Sequence, residues 1–267
     1  MSSLVIKHGE MISNDILNTI STRYHTITAA INKEFWNSTS SVSHTLYVGS
    51  YGRGTAIDTS DVDVLAILPE SEYNRYDYLK GNGQSRLLQA VKNAILNSYP
   101  RTSIHADGQV VIVQFTDGIK FEVVPAFEKH DYFGGVTYIY PDTNNGGNWK
   151  STNPKAEQEA MKDKNKSSNG LLKDTCKHIR TVRDTQFSSY HLPGILIDSF
   201  VFNAMGNWRW TPPNEEGSSS AAGTYEQVLL DYYNSHKWST LIAPGSNQFI
   251  DTGSYDILEK VLKYMVG

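Results

Sequence analysis

Hydrophobic residues in the first half of the chain follow either the period of a helix or that of a strand. A spacing of three to four residues predicts an amphipathic helix, whereas a short apolar or alternating run predicts a strand. The predicted elements, in chain order, are a helix at 12–35, strands at 44–48 and 61–68, a helix at 85–99, and strands at 110–115 and 119–127. Asp117–Gly118 separates the last two strands and indicates a hairpin. This half therefore predicts a small α+β core.

The second half of the chain predicts helices. Residues 141–154, PDTNNGGNWKSTNP, predict a loop that ends with Asn153 as a helix cap and Pro154 at the first helical position. The helical segments that follow are 154–166, 171–187, 193–206, 224–238 and 254–266. Thr224 and Gln227 have the spacing of a capping box at the start of the fourth of these helices. The pattern predicts an α+β half followed by a helical half.

Composition narrows the class of protein. A length of 267 residues suffices for one large domain or two modest lobes. The net charge of −4 argues against a protein that coats nucleic acid, so we expect no stable nucleic-acid partner. The single cysteine, Cys176, excludes a disulfide framework and a cysteine-based zinc site. The N-terminus has no apolar leader and no run reaches the length of a membrane span, so we expect a cytoplasmic protein without a membrane partner.

Two aspartates lie on one face of the second predicted strand. Asp61 and Asp63 are one residue apart, so their carboxylates come close together. Like charges at that distance repel, and paired hard oxygen donors are the ligands that Mg²⁺ takes. A second ion needs a third carboxylate from a neighbouring strand, for which Glu122, between Phe121 and Val123, is the candidate. The residues predict a site for two Mg²⁺ or Mn²⁺ ions.

The turn before these aspartates is suited to a phosphate. Gly49 allows close approach of the backbone, and Ser50 can donate a hydrogen bond to a phosphate oxygen. The segment lacks the lysine of a Walker A loop and the glycine spacing of a dinucleotide-binding turn. A phosphate-binding turn beside metal-binding carboxylates predicts a site that binds a nucleoside triphosphate through its phosphate groups.

These motifs together resemble a known superfamily. Gly49–Ser50, ten intervening residues and Asp61-Val62-Asp63 resemble the signature of the polymerase-β nucleotidyltransferases. With KFEVVPAF and NWKSTNP, the segment GSYGRGTAIDTSDVDVL resembles the bacterial cyclic-oligonucleotide synthases. Those proteins are relatives of cyclic GMP–AMP synthase and of oligoadenylate synthase that work in anti-phage signalling. The resemblance extends from about residue 40 to residue 200.

The resemblance implies a fold and a metal mechanism. The fold is an α+β nucleotidyltransferase core with a mixed sheet and a long bracing helix over residues 1–153, and a helical lobe over residues 154–267, with a cleft between the lobes. Asp61, Asp63 and Glu122 would coordinate two Mg²⁺ ions. A ribose hydroxyl would then attack the α-phosphate and release pyrophosphate. Family members often carry aspartate at the position of Glu122.

The resemblance also implies basic residues that hold the donor phosphates. The family's phosphate-binding helix has two basic residues separated by two others, and Lys177 and Arg180 fall at those positions. Without the resemblance, both fit a solvated helix face equally well. Arg53 either touches a phosphate or pairs with Asp58.

The predicted activity is template-independent synthesis of a cyclic di- or oligonucleotide from ATP and other NTPs. A diffusible product that acts on a separate effector protein fits this chain, in which no toxin, nuclease or membrane segment is recognised. One alternative uses the same carboxylates to add nucleotides to tRNA or to a protein side chain. A third hypothesis is a nucleotide-binding sensor that has lost catalysis.

Overall fold

The structure is a computed structural model that describes residues 2–9, 11–132, 134–217 and 220–267. Its described residues form two compact units. The first unit, here the sheet unit, comprises Ile12–Gly52 and Ser60–Asn153. The second, the helical unit, comprises the N-terminal segment up to Met11, the short segment Arg53–Thr59 and Pro154–Gly267. The predicted domains at 1–153 and 154–267 stay a prediction. The two units differ from these domains because the segment up to Met11 and the segment Arg53–Thr59 are grouped with the C-terminal helices.

Within the described residues of the sheet unit, seven strands form one sheet. The strands are β1 (Thr45–Tyr47), β2 (Val62–Ile67), β3 (Ser103–Asp107), β4 (Val110–Gln114), β5 (Lys120–His130), β6 (Val136–Asp142) and β7 (Asn148–Thr152). The helices are α1 (Asn14–Phe35), α2 (Gly49–Arg53), α3 (Glu70–Asp77) and α4 (Gly83–Leu96). The sheet order is β1-β2-β5-β4-β3, and β6 pairs with β5 and β7. Strands β2 and β5 are parallel, whereas the other described pairs are antiparallel.

One face of the sheet is covered by α1 and α4. The Ser13 hydroxyl caps α1 by accepting a hydrogen bond from the Ile16 amide. Ile27 on α1 and Leu88 on α4 are buried in one apolar cluster that also contains Val64 of β2 and other residues of β2, β4 and β5. Because side chains alternate along a strand, the residues between these buried ones project from the opposite face.

The helical unit has its own apolar core. Its helices are α5 (Pro154–Ser167), α6 (Leu171–Gln186), α7 (Gly194–Ala204), α8 (Thr224–His236) and α9 (Tyr255–Val266). Val5 of the N-terminal segment is buried in the same cluster, and its amide donates to a Glu226 oxygen at 2.7 Å. The His8 amide donates to Asp174 at 3.0 Å, which ties the segment to α6. None of the described helices has both the length and the apolar character needed to cross a bilayer.

Most of the predicted elements are confirmed. The long N-terminal helix, the hairpin of β4 and β5 and the five C-terminal helices all occur within a few residues of their predicted bounds. Pro154 is the first residue of α5, as predicted. Apolar residues recur in these elements with a clear period, so their sequence alone is sufficient to predict them.

Two predictions are wrong. Residues 141–154 are not a continuous loop, because Pro141 and Asp142 end β6 and Asn148–Thr152 forms β7. The sequence NWKST of β7 is mostly polar and forms an edge strand, so no apolar alternation marks it. The predicted turn at Gly49–Ser50 leads directly into a helix, since Gly49 is the first residue of the short helix α2. The capping box at the start of α8 is absent, since Gly223 takes the cap position without a side-chain hydrogen bond. Strands β3 and β6 and helix α3 were not predicted.

Candidate active site

The register of the parallel strands brings two of the predicted carboxylates side by side. Asp63 on β2 is the direct partner of Glu122 on β5. Phe121 and Val123 are completely buried in the core under α1 and α4, so Glu122 projects from the other face. Asp61 lies one residue before β2 begins. The fold therefore gathers Asp61, Asp63 and Glu122 at the edge where β2 and β5 start.

A lysine lies among these carboxylates. The Lys120 ammonium is 2.6 Å from an Asp61 oxygen and 2.9 Å from a Glu122 oxygen. Partial burial lowers the pKa of Lys120, but the hydrogen bonds to Asp61 and Glu122 outweigh it and raise the pKa above its ordinary value. Lys120 is therefore charged and offsets the repulsion between the acids.

Whether this donor set suits a divalent cation depends on the position of Lys120. As the side chains stand, no three His, Cys, Asp or Glu residues among those described are arranged to enclose a metal ion. At this site the ammonium of Lys120 bridges Asp61 and Glu122, which shows that a cation is accommodated between their oxygens. Hard carboxylate oxygens are the ligands that Mg²⁺ and Mn²⁺ prefer. The residues fit such an ion once Lys120 moves away.

Replacing Lys120 by methionine should make thermal stability depend on Mg²⁺. Without the ammonium, Asp61 and Glu122 repel each other, so we expect the melting temperature in EDTA to fall by about 2–4 °C. Added Mg²⁺ should restore most of this loss. Lys129→Met is the matched control on the same strand, because its ammonium contacts Glu70 at 3.5 Å instead. Equal Mg²⁺ responses of the two variants would contradict the assignment.

The glycine of the Gly-Ser motif is in contact with one of the carboxylates. Gly49 has a φ of +57°, a conformation that favours glycine, and an added Cβ would overlap the Asp63 carboxylate. The Val48 amide donates to the Asp63 carbonyl at 2.9 Å, which holds the two segments together. Ser50 follows Gly49 in α2 and is partly exposed. Five of the eight predicted site residues therefore lie in the sheet unit, namely Gly49, Ser50, Asp61, Asp63 and Glu122.

The basic residues predicted at the site have other contacts in the helical unit. Arg53 is 7% exposed, and it donates to Asp198 at 2.8 Å and to Glu157 at 3.1 Å rather than pairing with Asp58. Arg180 is 1% exposed and donates to both oxygens of Asp198 at 2.6 and 3.0 Å. Lys177 is partly exposed, with its ammonium 3.4 Å from the Gly9 carbonyl. Their phosphate-binding roles stay predictions, and the two guanidinium groups are already bound to Asp198.

Sequence reasoning missed Lys120 at this site. Its position two residues before Glu122 on the same strand could have indicated it, because residues two apart on a strand share a face. The salt bridge to Asp61 could not be inferred in this way, since it depends on the pairing of β2 with β5.

The mixed sheet, its parallel pair of strands with opposed carboxylates and the glycine held against Asp63 define a nucleotidyltransferase fold with a polymerase-β-like core. The chain belongs to the family of the Second Messenger Oligonucleotide or Dinucleotide Synthetase (SMODS) domain, whose family model matches residues 10–165. The predicted relationship to bacterial cyclic-oligonucleotide synthases is thereby confirmed.

Solved structures of such synthases have a similar fold. The Rhodothermus marinus c-UMP-AMP synthase CdnE, solved with Apcpp and Upnpp, has a TM-score of 0.63 at 16% identity, over 92% of this chain and 89% of that chain. The Vibrio cholerae cyclic AMP-GMP synthase DncV has a TM-score of 0.63 at 13% identity, over 98% and 85% of the two chains. At these identities the similarity shows the fold.

A relative at the sequence level is a probable cyclic nucleotide synthase of Bacillus cereus (strain VD146). It is 28% identical over 158 residues, which cover 57% of this chain and 45% of the relative. The match therefore spans less than half of that protein.

Proposed function

We propose that this protein is a template-independent nucleotidyltransferase that makes a cyclic di- or oligonucleotide from NTPs. The observation that carries the proposal is the register of Asp63 against Glu122, with Asp61 beside them and Gly49 in contact with Asp63. The family membership and the fold of the synthases solved with nucleotide analogues support the choice of NTPs as substrates.

Each residue of the site has a role in this proposal. The backbone at Gly49 and the hydroxyl of Ser50 bind the triphosphate of the donor nucleotide. Asp61, Asp63 and Glu122 hold two Mg²⁺ or Mn²⁺ ions. When bound, these ions polarise the α-phosphate and lower the pKa of the acceptor's ribose hydroxyl. A new ribose O–P bond forms, the bond to the β-phosphate oxygen breaks, and pyrophosphate leaves.

Before an ion binds, the single positive charge of Lys120 offsets part of the negative charge of Asp61 and Glu122. Lys177, on the partly exposed face of α6, is the candidate to contact the donor phosphates. Arg53 and Arg180 are buried and paired with Asp198, so they are weaker candidates for phosphate binding than Lys177.

The biological role that we propose is signalling. The product would act on a separate effector protein in anti-phage defence, and the enzyme would work in the cytoplasm, where its NTP substrates are. One structural neighbour, the Escherichia coli MS115-1 protein CdnC, was solved in a complex with a HORMA protein, which is compatible with regulation by a partner.

The direct test is incubation of purified protein with four α-labelled NTPs and Mg²⁺ or Mn²⁺, followed by phosphatase and chromatography. We expect a small, phosphatase-resistant labelled product, and omission of one NTP at a time identifies its bases. Glu122→Gln should reduce the product by about 10²-fold or more, because a metal ligand is lost. Glu128→Gln is the matched control, since Glu128 lies on the same face of β5 outside the site.

The other outcomes separate the alternatives. Label on added tRNA or on protein, without a small product, would support the macromolecule-modifying enzyme. Metal-dependent NTP binding without release of pyrophosphate would support the inactive sensor. Equal product from Glu122→Gln and Glu128→Gln would exclude Glu122 as a metal ligand.

A further inference from the structure

The segment Arg53–Thr59 connects the two halves of the nucleotidyltransferase signature. It follows Gly49–Ser50 and leads to Asp61-Val62-Asp63, yet it packs as part of the helical unit. Its residue Ile57 is only 2% exposed. The connecting segment is therefore packed with the helices rather than with the sheet.

Asp198 on α7 is the centre of those contacts. Its carboxylate is completely buried and accepts hydrogen bonds from Arg53 at 2.8 Å and from the Thr55 hydroxyl at 2.9 Å. Arg180 on α6 donates to both of its oxygens. Burial alone would raise the pKa of Asp198, but Arg180 and Arg53 hold the pKa well below its usual range. An ionised carboxylate with four buried donors is a rigid attachment point.

Two further contacts fix the same segment. At its end, the Thr59 hydroxyl donates to Asp184 of α6 at 2.6 Å. Near its start, Gly54 has a φ of +72°, and an added Cβ would overlap the Lys173 ammonium. The first residues of the segment, Arg53 and Thr55, are thus bound by Asp198 of α7, and its last residue, Thr59, is bound by Asp184 of α6.

We infer that Asp198 is a positioning residue: through Arg53 and Thr55 it holds the segment that sets the placement of Gly49–Ser50 relative to Asp61 and Asp63. The inference rests on the proposed function of that signature. In-line attack requires the triphosphate and the metal-binding carboxylates to be placed to within a fraction of an ångström, and displacements of about 1 Å can cost about 10²-fold in rate. Loosening the segment should therefore lower turnover.

The test uses a small change on the segment, because Asp198→Asn would leave the buried Arg180 without its counter-charge and Arg53 with Glu157 alone, and could unfold the protein. Thr55→Val removes one hydrogen bond to Asp198 and keeps the side-chain volume, whereas Thr55→Ser keeps the hydroxyl. Thr175→Val is the matched control, since Thr175 is equally buried and its hydroxyl contacts Tyr225 at 2.9 Å within the helical unit.

Thr55→Val and Thr175→Val should differ in turnover but not in thermal stability. We expect Thr55→Val to lower kcat by about tenfold with little change in KM, and Thr55→Ser to recover most of it. Thr175→Val should lose as much thermal stability as Thr55→Val and keep the wild-type kcat. Equal kcat values for Thr55→Val and Thr175→Val would overturn the inference and leave Thr55 with a structural role alone.

Hydrogen exchange gives a readout that does not depend on activity. Amides of residues 49–59 should exchange about tenfold faster in Thr55→Val than in the wild type, and those of α8 and α9 should not change. Unchanged exchange in residues 49–59 would also overturn the inference. A wild-type protein that makes no product under any condition would instead contradict the proposed function, and the exchange rates would still decide whether Thr55 and Asp198 hold the segment.

Discussion

Replacing Asp63 by asparagine is expected to abolish nucleotide transfer and leave the fold intact. Asp63 is the carboxylate in direct register with Glu122, and Gly49 lies against it, so Asp63 joins the proposed metal ligands to the Gly-Ser motif. Metal ions supply several kcal/mol of transition-state stabilisation, and about 1.4 kcal/mol is tenfold in rate, so the loss should be on the order of 10³-fold.

The fold should tolerate this change because asparagine has almost the same volume and removes a like-charge repulsion. The salt bridges of Lys120 are with Asp61 and Glu122, so they stay in place. The measurements are the rate of labelled product formation and the melting temperature. Asp107→Asn, at the exposed end of β3, is the control and should match the wild type in both. Wild-type activity in Asp63→Asn would show that the carboxylate assignment is wrong.

The second large effect is expected for Gly49→Ala. The added methyl group would overlap the Asp63 carboxylate, so either that side chain or the backbone before Ser50 must move. Misplacement of a catalytic group by about 1 Å costs about 10²-fold in rate. We expect at least this loss in kcat, measured with the same labelled NTPs.

A second glycine with the same backbone conformation serves as a control, because it distinguishes overlap with Asp63 from backbone strain as the cause of lost activity. Gly108, in the turn between β3 and β4, has a φ of +55°, close to the +57° of Gly49, but an added Cβ there meets no atom within 4 Å. Both alanine variants therefore carry the left-handed backbone cost of roughly 1–2 kcal/mol in stability. Gly108→Ala should keep full activity. If both variants lost activity to the same degree, strain or unfolding rather than contact with Asp63 would be the cause.

Several features of the site could be predicted from the sequence because they depend on neighbours along the chain. Asp61 and Asp63 share a face as a consequence of the two-residue period of a strand. The sequence also singled out Gly49, because a glycine before the paired aspartates allows close approach of the backbone to a phosphate. The long helix α1 and the helices after Pro154 follow from the spacing of their apolar residues.

Other features of the structure could not be predicted from local sequence patterns, because they depend on residues far apart in the chain. Strand β7 is polar apart from Trp149, and its pairing with β6 is visible only in the sheet. The sequence indicated two partners for Arg53, a phosphate or Asp58, but not its contact with Asp198, 145 positions away, against which it is buried. A buried arginine has no sequence signal of its own, because its counter-charge comes from a distant part of the chain.

The amino-acid sequence by itself determined the helices and strands with strong apolar periods, the paired aspartates and the glycine before them, because each depends on residues within a few positions. The tertiary structure alone decided that Glu122 faces Asp63, that Lys120 bridges Asp61 and Glu122, and that Arg53 and Arg180 meet at Asp198. These contacts join strands and helices far apart in the chain. Their register is set by how the apolar faces pack, and that packing minimises the free energy of the whole core rather than of any one segment.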